Sequence, residues 1–137
     1  IIMEEGLENR YLRHKLNAEA LVAGLSKLNI KVVPPVGSRL NQITPVWIPA
    51  DADDDMVRSK LVDDYSIEIG KGLGAFSGKV WRIGLMGESS RREYVLKLLH
   101  GLEEIFNECG FEIVSGSATD AANAYYESKD LKSFSNN

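Results

Sequence analysis

Arg82 is a cation in residues 78–87 (GKVWRIGLMG), an otherwise apolar stretch that the sequence predicts to be a buried strand. Because successive side chains of a strand point to opposite faces, Arg82 lies on one face, where Gly84 leaves open space beside its guanidinium. The large apolar side chains share the other face: Trp81, Ile83 and Leu85. A guanidinium keeps its charge and is costly to bury unpaired, so we expect an anion beside it, and a carboxylate fits its planar fork best.

Three arrangements would account for Arg82 in this strand. The carboxylate belongs to a small-molecule ligand, or it belongs to an Asp or Glu of the same chain, or the arginine lies at a strand edge and reaches solvent. Structural ion pairs outnumber ligand clamps in proteins. The strand by itself therefore favours one of the two structural arrangements over a ligand clamp.

No other group of residues predicts catalysis or metal binding. His14 and His100 are far apart in sequence, and the single cysteine, Cys109, lies in register with the apolar side of a helix, so both His14 and Cys109 are predicted to pack in the core. The acidic run of Asp51 and residues 53–55 stands where a helix begins, and the helix dipole favours carboxylates at that end. We therefore predict neither catalytic residues nor metal ligands in this chain.

The totals describe one folded domain. The chain has 137 residues, 44% of them hydrophobic, and sixteen basic against twenty acidic residues leave a net charge of −4. Without a basic run, nucleic acid and anionic membrane are not expected as partners. Neither a secretory signal nor an apolar stretch of about twenty residues is present. We expect a cytoplasmic protein, with the peroxisome or another organelle as the alternative.

The sequence opens with a long helix, predicted from residue 4 to about residue 28. One face carries residues spaced alternately by four and three: Leu7, Tyr11, His14, Ala18, Leu21, Leu25 and Leu28. About 25 helical residues give a rod near 37 Å long, which matches or exceeds the diameter of a compact domain of this size. The helix is therefore expected to need a neighbour outside the domain.

The remaining elements alternate between strands and helices. Strands are predicted at residues 42–48, 66–69, 78–87 and 111–114, and helices after the acidic run, after a capping box at residues 90–93, and after a cap at Ser117. This order predicts an α+β fold, a two-layer sandwich in which a small antiparallel or mixed sheet carries helices on one face.

Residues 70–78 contain four glycines. A phosphate-binding loop is excluded, because no Gly-Lys-Ser/Thr ending is present and a strand, not a helix, follows. Such glycines allow positive φ and close backbone approach. The segment is either a mobile loop beside a ligand or a plain hairpin connection.

Three segments together resemble the C-terminal small domain of class V aminotransferases, pyridoxal-phosphate enzymes of fold type I that include alanine–glyoxylate and serine–pyruvate aminotransferases. They are residues 5–10 (EGLENR) with His14, residues 65–74 (YSIEIGKGLG) and residues 78–87 (GKVWRIGLMG). The first segment is weak by itself, whereas the last two are specific. The resemblance extends over nearly the whole chain.

The resemblance implies that Arg82 binds the α-carboxylate of an amino-acid or 2-oxo-acid substrate, and that the Gly72-Leu73-Gly74 loop lies at the mouth of the active site. It also implies that pyridoxal phosphate, its Schiff-base lysine and its phosphate cup belong to a large domain that this chain does not match. Lys71 and Lys79 do not stand in the family's Schiff-base context. The isolated chain is therefore expected to be inactive and to bind no cofactor.

The resemblance further implies a fragment of a homodimeric enzyme that transfers an amino group from alanine or serine to glyoxylate or pyruvate. The chain begins at Ile1 without an initiator methionine, inside what looks like the family's long interdomain helix, which agrees with a fragment. We expect residues 1–29 to be that helix and residues 30–137 to be the small domain. The alternative function is a free-standing regulatory domain that holds a carboxylate or amino acid on Arg82 without catalysis.

Overall fold

The computed structural model describes residues 6–33, 43–85 and 90–135, of which residues 131–135 are described as backbone only. Within these ranges the chain forms four α-helices and three β-strands. The helices are α1 (Leu7–Lys27), α2 (Asp54–Tyr65), α3 (Arg92–Glu108) and α4 (Ser117–Ser135). The strands are β1 (Ile43–Trp47), β2 (Gly70–Lys71) and β3 (Val80–Gly84), and a 3₁₀ turn, Gly74–Phe76, lies between β2 and β3.

The three strands form an antiparallel sheet in the order β1-β3-β2, so the strand that carries Arg82 is central. In this register Arg82 lies between Pro45 of β1 and Gly70 of β2. The helices pack against the face that carries Trp81, Ile83 and Leu85, each of which is at most 1% exposed. The predicted α+β two-layer sandwich and the predicted division of faces in β3 are both confirmed.

Helix α1 has 21 residues, from Leu7 to Lys27, and the predicted start at residue 4 lies outside the described residues. Its second half is part of the core, where Leu21 and Leu25 are fully buried, and it packs mainly against α4. The first turns are different, because the side chains of Leu7 and Tyr11 are 75% and 59% exposed. His14 is buried, and its Nδ1 lies 2.7 Å from the carbonyl oxygen of Arg10, as expected for a packing histidine.

Two of the predicted strands do not form. Residues 66–69 leave α2 through Ser66, which has a positive φ of 56° and ends the helix, so that only Gly70–Lys71 pairs with β3. Residues 111–114 follow α3, and their backbone amides bond to the end of that helix instead of to a strand: Phe111 donates to the carbonyl of Phe106, and Ile113 donates to Asn107 Oδ1 at 3.1 Å.

The predicted helix caps are correct at α2 and wrong at α3 and α4. Asp53 accepts a hydrogen bond from the amide of Met56 at 3.1 Å and so caps α2. At α3 the N-cap residue is Arg91, without a side-chain cap, while Ser90 is fully buried. At α4 the Ser117 hydroxyl is buried without a partner. Both serines fit the capping pattern locally. In the structure, however, Ser90 Oγ accepts a hydrogen bond from Asn17, and a side chain of α3 caps α4.

Glu103 of α3 provides the cap of α4. Its carboxylate is fully buried and accepts hydrogen bonds from the amides of Gly116, Ala118 and Thr119 at 2.9, 2.7 and 3.0 Å. These amides lie at the N-terminus of α4, where the helix has unpaired N–H groups and a partial positive charge. A buried carboxylate is thus satisfied by the chain itself.

A second buried polar group joins α1, α4 and the start of α3. Tyr126 Oη donates to Asn17 Oδ1 at 2.6 Å, and Asn17 Nδ2 donates to Ser90 Oγ at 3.4 Å. The Arg92 guanidinium lies 4.7 Å from the centre of the Tyr126 ring. Burial raises the pKa of Tyr126 to about 12. This group fixes the position of Ser90 against the helical layer.

Candidate functional site

Arg82 lies on the sheet face that the described helices leave uncovered. Its side chain is half-buried, and its Nε donates to the carbonyl oxygen of Lys71 at 2.8 Å. No carboxylate within the described ranges forms an ion pair with it. The strand pattern favoured two structural arrangements together. The internal Asp or Glu partner is not found in the described part of the chain, and the strand-edge position is wrong because β3 is the central strand. The guanidinium keeps donor groups for an anion from elsewhere.

The neighbours of Arg82 on this face are small or rigid. Pro45 stands opposite it on β1, Gly70 opposite it on β2, and Gly84 two residues along β3. A Cβ atom at Gly70 would lie 3.6 Å from Arg82 Cβ and 3.7 Å from Arg82 Nε. Any larger side chain there would lie against the guanidinium. Gly70 therefore keeps open the space beside the arginine, a role that depends on strand pairing and that the sequence pattern did not indicate.

A hydrogen bond joins the opposite face of β3 to α2. The indole Nε1 of Trp81 donates to Asp54 Oδ1 at 2.7 Å, and Arg58 Nε donates to the same oxygen at 2.7 Å. The hydrogen bond from Arg58 holds the pKa of Asp54 below its usual range, with a smaller contribution from Trp81. The acidic run is thus structural, as predicted, and it holds the residue next to Arg82 in place.

The glycine-rich loop begins one residue after the carbonyl that Arg82 contacts. The amide of Gly72 donates to the carbonyl of Val80 at 2.8 Å, and a Cβ atom at Gly72 would lie 2.3 Å from the carbonyl oxygen of Phe76. Gly74 has a φ of +58° and opens the 3₁₀ turn. These two glycines are required by the backbone of the loop itself. Substrate contact by Gly72, Leu73 or Gly74 stays a prediction.

The loop also exposes apolar side chains next to the Arg82 face. Leu73 and Phe76 are 67% and 45% exposed, and Trp47 of β1 is 37% exposed. The rings of Trp47 and Phe76 are in contact, with centroids 5.9 Å apart. The site thus combines one cation, Arg82, with neighbouring glycines on the sheet and with exposed apolar side chains at its border.

These residues fit a carboxylate and do not fit pyridoxal phosphate. Lys71 pairs with Trp81, so its side chain starts on the face opposite to Arg82, and Lys79 lies in the turn before β3. Neither lysine shares the guanidinium's face, and the glycine loop leads into a strand instead of the helix N-terminus that commonly binds phosphate. Among the described residues, no group of acidic, His or Cys side chains is arranged to hold a metal ion. None of the described helices is long and apolar enough to span a membrane.

The chain is similar in sequence to known aminotransferases. No family model matches the chain. The chain is 38% identical over 127 residues to the (S)-ureidoglycine–glyoxylate transaminase of Bacillus subtilis (strain 168), which aligns 93% of this chain with 30% of the relative. It is 36% identical over 110 residues to the alanine–glyoxylate aminotransferase of Callithrix jacchus, which aligns 80% of this chain with 27% of the relative.

The fold agrees with a solved structure of the same kind. The crystal structure of ureidoglycine-glyoxylate aminotransferase from Bacillus subtilis matches with a TM-score of 0.86 and 38% identity, over 92% of this chain and 33% of that chain. The chain therefore spans about 30% of the length of the curated relatives that it matches.

Proposed function

Because the chain belongs to the class V aminotransferase family and spans about 30% of the length of the relatives it matches, we propose that it is the C-terminal small domain of a pyridoxal-phosphate-dependent aminotransferase. In this role Arg82 binds the carboxylate of the substrate. The observation that carries the proposal is the Arg82 guanidinium itself, which is half-buried, donates to one backbone carbonyl, and has no acidic partner in the described part of the chain.

The hydrogen bond to Lys71 determines how a carboxylate would approach. Since Nε of Arg82 already donates to the carbonyl oxygen of Lys71, a bidentate carboxylate would use the two terminal nitrogens, Nη1 and Nη2. The same bond fixes the plane of the guanidinium before the substrate arrives. A preorganised fork of this kind orients the rest of a bound substrate, and correct orientation is a large part of the rate of a bimolecular reaction.

This chain and the remainder of the enzyme would bind different groups. Pyridoxal phosphate supplies the electron sink for amino transfer, and the remainder of the enzyme would hold it together with its lysine. The chain's own contribution is to bind and orient the carboxylate. We further propose that the segment of residues 1–29, whose described helix is Leu7–Lys27, lies between the two domains, and that the full-length enzyme is a homodimer.

Glyoxylate is the proposed amino acceptor. It appears in the names of both relatives described above, whereas their donors differ. We propose alanine or serine as the donor and pyruvate as the alternative acceptor. A short 2-oxo acid suits a site whose only described cation is free to bind a carboxylate and has Gly70 and Gly84 beside it on the sheet.

The experiment compares Arg82→Lys with wild type in the full-length enzyme. We expect kcat/KM for alanine and glyoxylate to fall about 100-fold, because lysine keeps the charge but loses the planar two-point contact. The absorbance of the bound cofactor should stay unchanged. Arg92→Lys is the matched control, since Arg92 lies over Tyr126 in the helical layer and should leave kcat/KM close to wild type.

Unchanged kinetics in Arg82→Lys would reject the proposed role of this residue. Calorimetry of the 137-residue chain with alanine, serine and glyoxylate distinguishes an aminotransferase domain from a free-standing carboxylate-binding domain. Absence of binding agrees with one half of a composite site, whereas tight and saturable binding would favour a free-standing carboxylate-binding domain.

A further inference from the structure

Trp47 and Phe76 form an aromatic pair on the same sheet face as Arg82. Their ring centroids are 5.9 Å apart with an interplanar angle of 58°. Large aromatic side chains normally lie inside a domain, yet these two are 37% and 45% exposed. Exposed apolar groups that lie next to a polar anchor are typical of ligand sites.

The pair is held in place by the backbone on both sides. The amide of Trp47 donates to the carbonyl of Lys31 at 2.8 Å. The carbonyl of Phe76 accepts from the amide of Lys79 at 3.0 Å, and the amide of Phe76 donates to the carbonyl of Leu73 at 3.1 Å. These bonds fix the backbone from which the two rings project, and the rings contact each other.

The sheet register places Trp47 on the face of Arg82, and Phe76 joins this face through its contact with Trp47. Trp47 stands opposite Val80, and Val80 precedes Arg82 by two residues on the same face. Diagonal neighbours of this kind lie about 7–8 Å apart, within reach of long side chains. The Arg82 side chain also contacts Lys71, and the loop that carries Phe76 begins at the next residue.

We propose that Trp47 and Phe76 determine substrate size, as an aromatic wall beside the carboxylate held by Arg82. This inference rests on the proposed function. A fixed wall leaves room for a short substrate such as glyoxylate and excludes a long apolar side chain. In this arrangement the loop contributes the ring of Phe76 to the site, while Gly72 and Gly74 serve the loop's own backbone.

The test measures substrate preference in the full-length enzyme. We expect Trp47→Ala to raise the ratio of kcat/KM for 2-oxohexanoate to kcat/KM for glyoxylate by about tenfold or more, in line with the discrimination that apolar pockets achieve. Phe76→Leu, a smaller change that keeps an apolar side chain, should raise the ratio to a lesser degree. Val114→Ala removes a 75% exposed apolar side chain between α3 and α4 and should leave the ratio unchanged.

The variant Arg82→Lys separates the two proposals. It should lower kcat/KM for both 2-oxo acids by a similar factor, because both present the same carboxylate. If that loss occurs but Trp47→Ala and Phe76→Leu leave the ratio unchanged, or alter both substrates equally, the aromatic wall is refuted and the role of Arg82 stands. If Arg82→Lys is as active as wild type, the proposed function and the wall are both rejected.

Discussion

Glu103 and Arg82 are charged residues in opposite layers of the domain, and their surroundings differ sharply. Glu103 is fully buried and accepts three backbone hydrogen bonds at the start of α4. Arg82 is only half-buried, donates to one carbonyl and has no acidic partner in the described ranges. The first charge is satisfied within the chain, whereas the second is oriented but left with free donors.

Whether a charged side chain has all its partners within the chain indicates whether its role is structural or functional better than its burial does. A buried charge is costly unless hydrogen bonds or an opposite charge compensate it. For Glu103 the compensation is complete, so its removal should affect folding. For Arg82 the compensation has to come from outside the described chain, so its removal should affect binding and leave the fold intact.

Replacement of Glu103 should give the largest loss of stability. In Glu103→Ala three amides at the N-terminus of α4 lose their acceptor, and we expect the free energy of unfolding to fall by about 3–5 kcal/mol. Glu103→Gln, which keeps a carbonyl oxygen, should lose less. Arg82→Ala should cost less than about 1 kcal/mol. Urea unfolding of the three variants tests the ranking, and equal losses for Glu103→Ala and Arg82→Ala would remove the contrast.

Two glycines near Arg82 sharpen the comparison within the sheet layer. Gly72→Ala would place a Cβ atom 2.3 Å from the carbonyl oxygen of Phe76, so the loop must shift, at a cost of about 2 kcal/mol. Gly70→Ala meets atoms of Arg82 only at 3.4 Å or beyond and should change stability by less than about 1 kcal/mol. Thermal unfolding measures both. A larger loss in Gly70→Ala than in Gly72→Ala would contradict the assigned roles.

Adjacent tyrosines of α4 provide a matched pair in the helical layer. Tyr126→Phe leaves Asn17 Oδ1 without its donor, and we expect a loss of about 1–2 kcal/mol. The hydroxyl of Tyr125 is buried without a partner, so Tyr125→Phe should be neutral or stabilising. Chemical denaturation of the two variants decides the point. A loss in Tyr125→Phe as large as that in Tyr126→Phe would show that the hydrogen bond to Asn17 is not the cause.

Tyr126 should also make stability depend on pH in alkaline solution. Its pKa rises from about 10 in the unfolded chain to about 12 in the folded one, because burial favours the neutral phenol. The unfolded chain then loses this proton first, so the stabilisation is complete below pH 10 and is lost between about pH 10 and 12. Melting temperatures in this range should fall less steeply for Tyr126→Phe than for wild type. Parallel curves for the two proteins would exclude this contribution.

Local periodicity was sufficient to predict the helices and the two faces of β3. The spacing of apolar residues placed Leu21 and Leu25 on one face of α1 and Trp81 on one face of β3, and the structure buries all three. These features depend on residues that are close in sequence. Burial of Trp81 on one face also fixed Arg82 on the other.

The features that were missed depend on residues far apart in the chain. Gly70 lies beside Arg82 only because β2 pairs with β3, and Glu103 caps α4 only because α3 and α4 pack together. The predicted strand at residues 111–114 is absent for the same reason, since its amides bond to the end of α3. Such pairings leave no local pattern in the sequence.

The most direct measurement is a crystal structure of the full-length enzyme with a bound 2-oxo acid. We expect the carboxylate oxygens at about 2.7–2.9 Å from Nη1 and Nη2 of Arg82, with Nε still donating to the carbonyl oxygen of Lys71. A carboxylate bound elsewhere, with Arg82 paired to an Asp or Glu of the enzyme, would contradict the account.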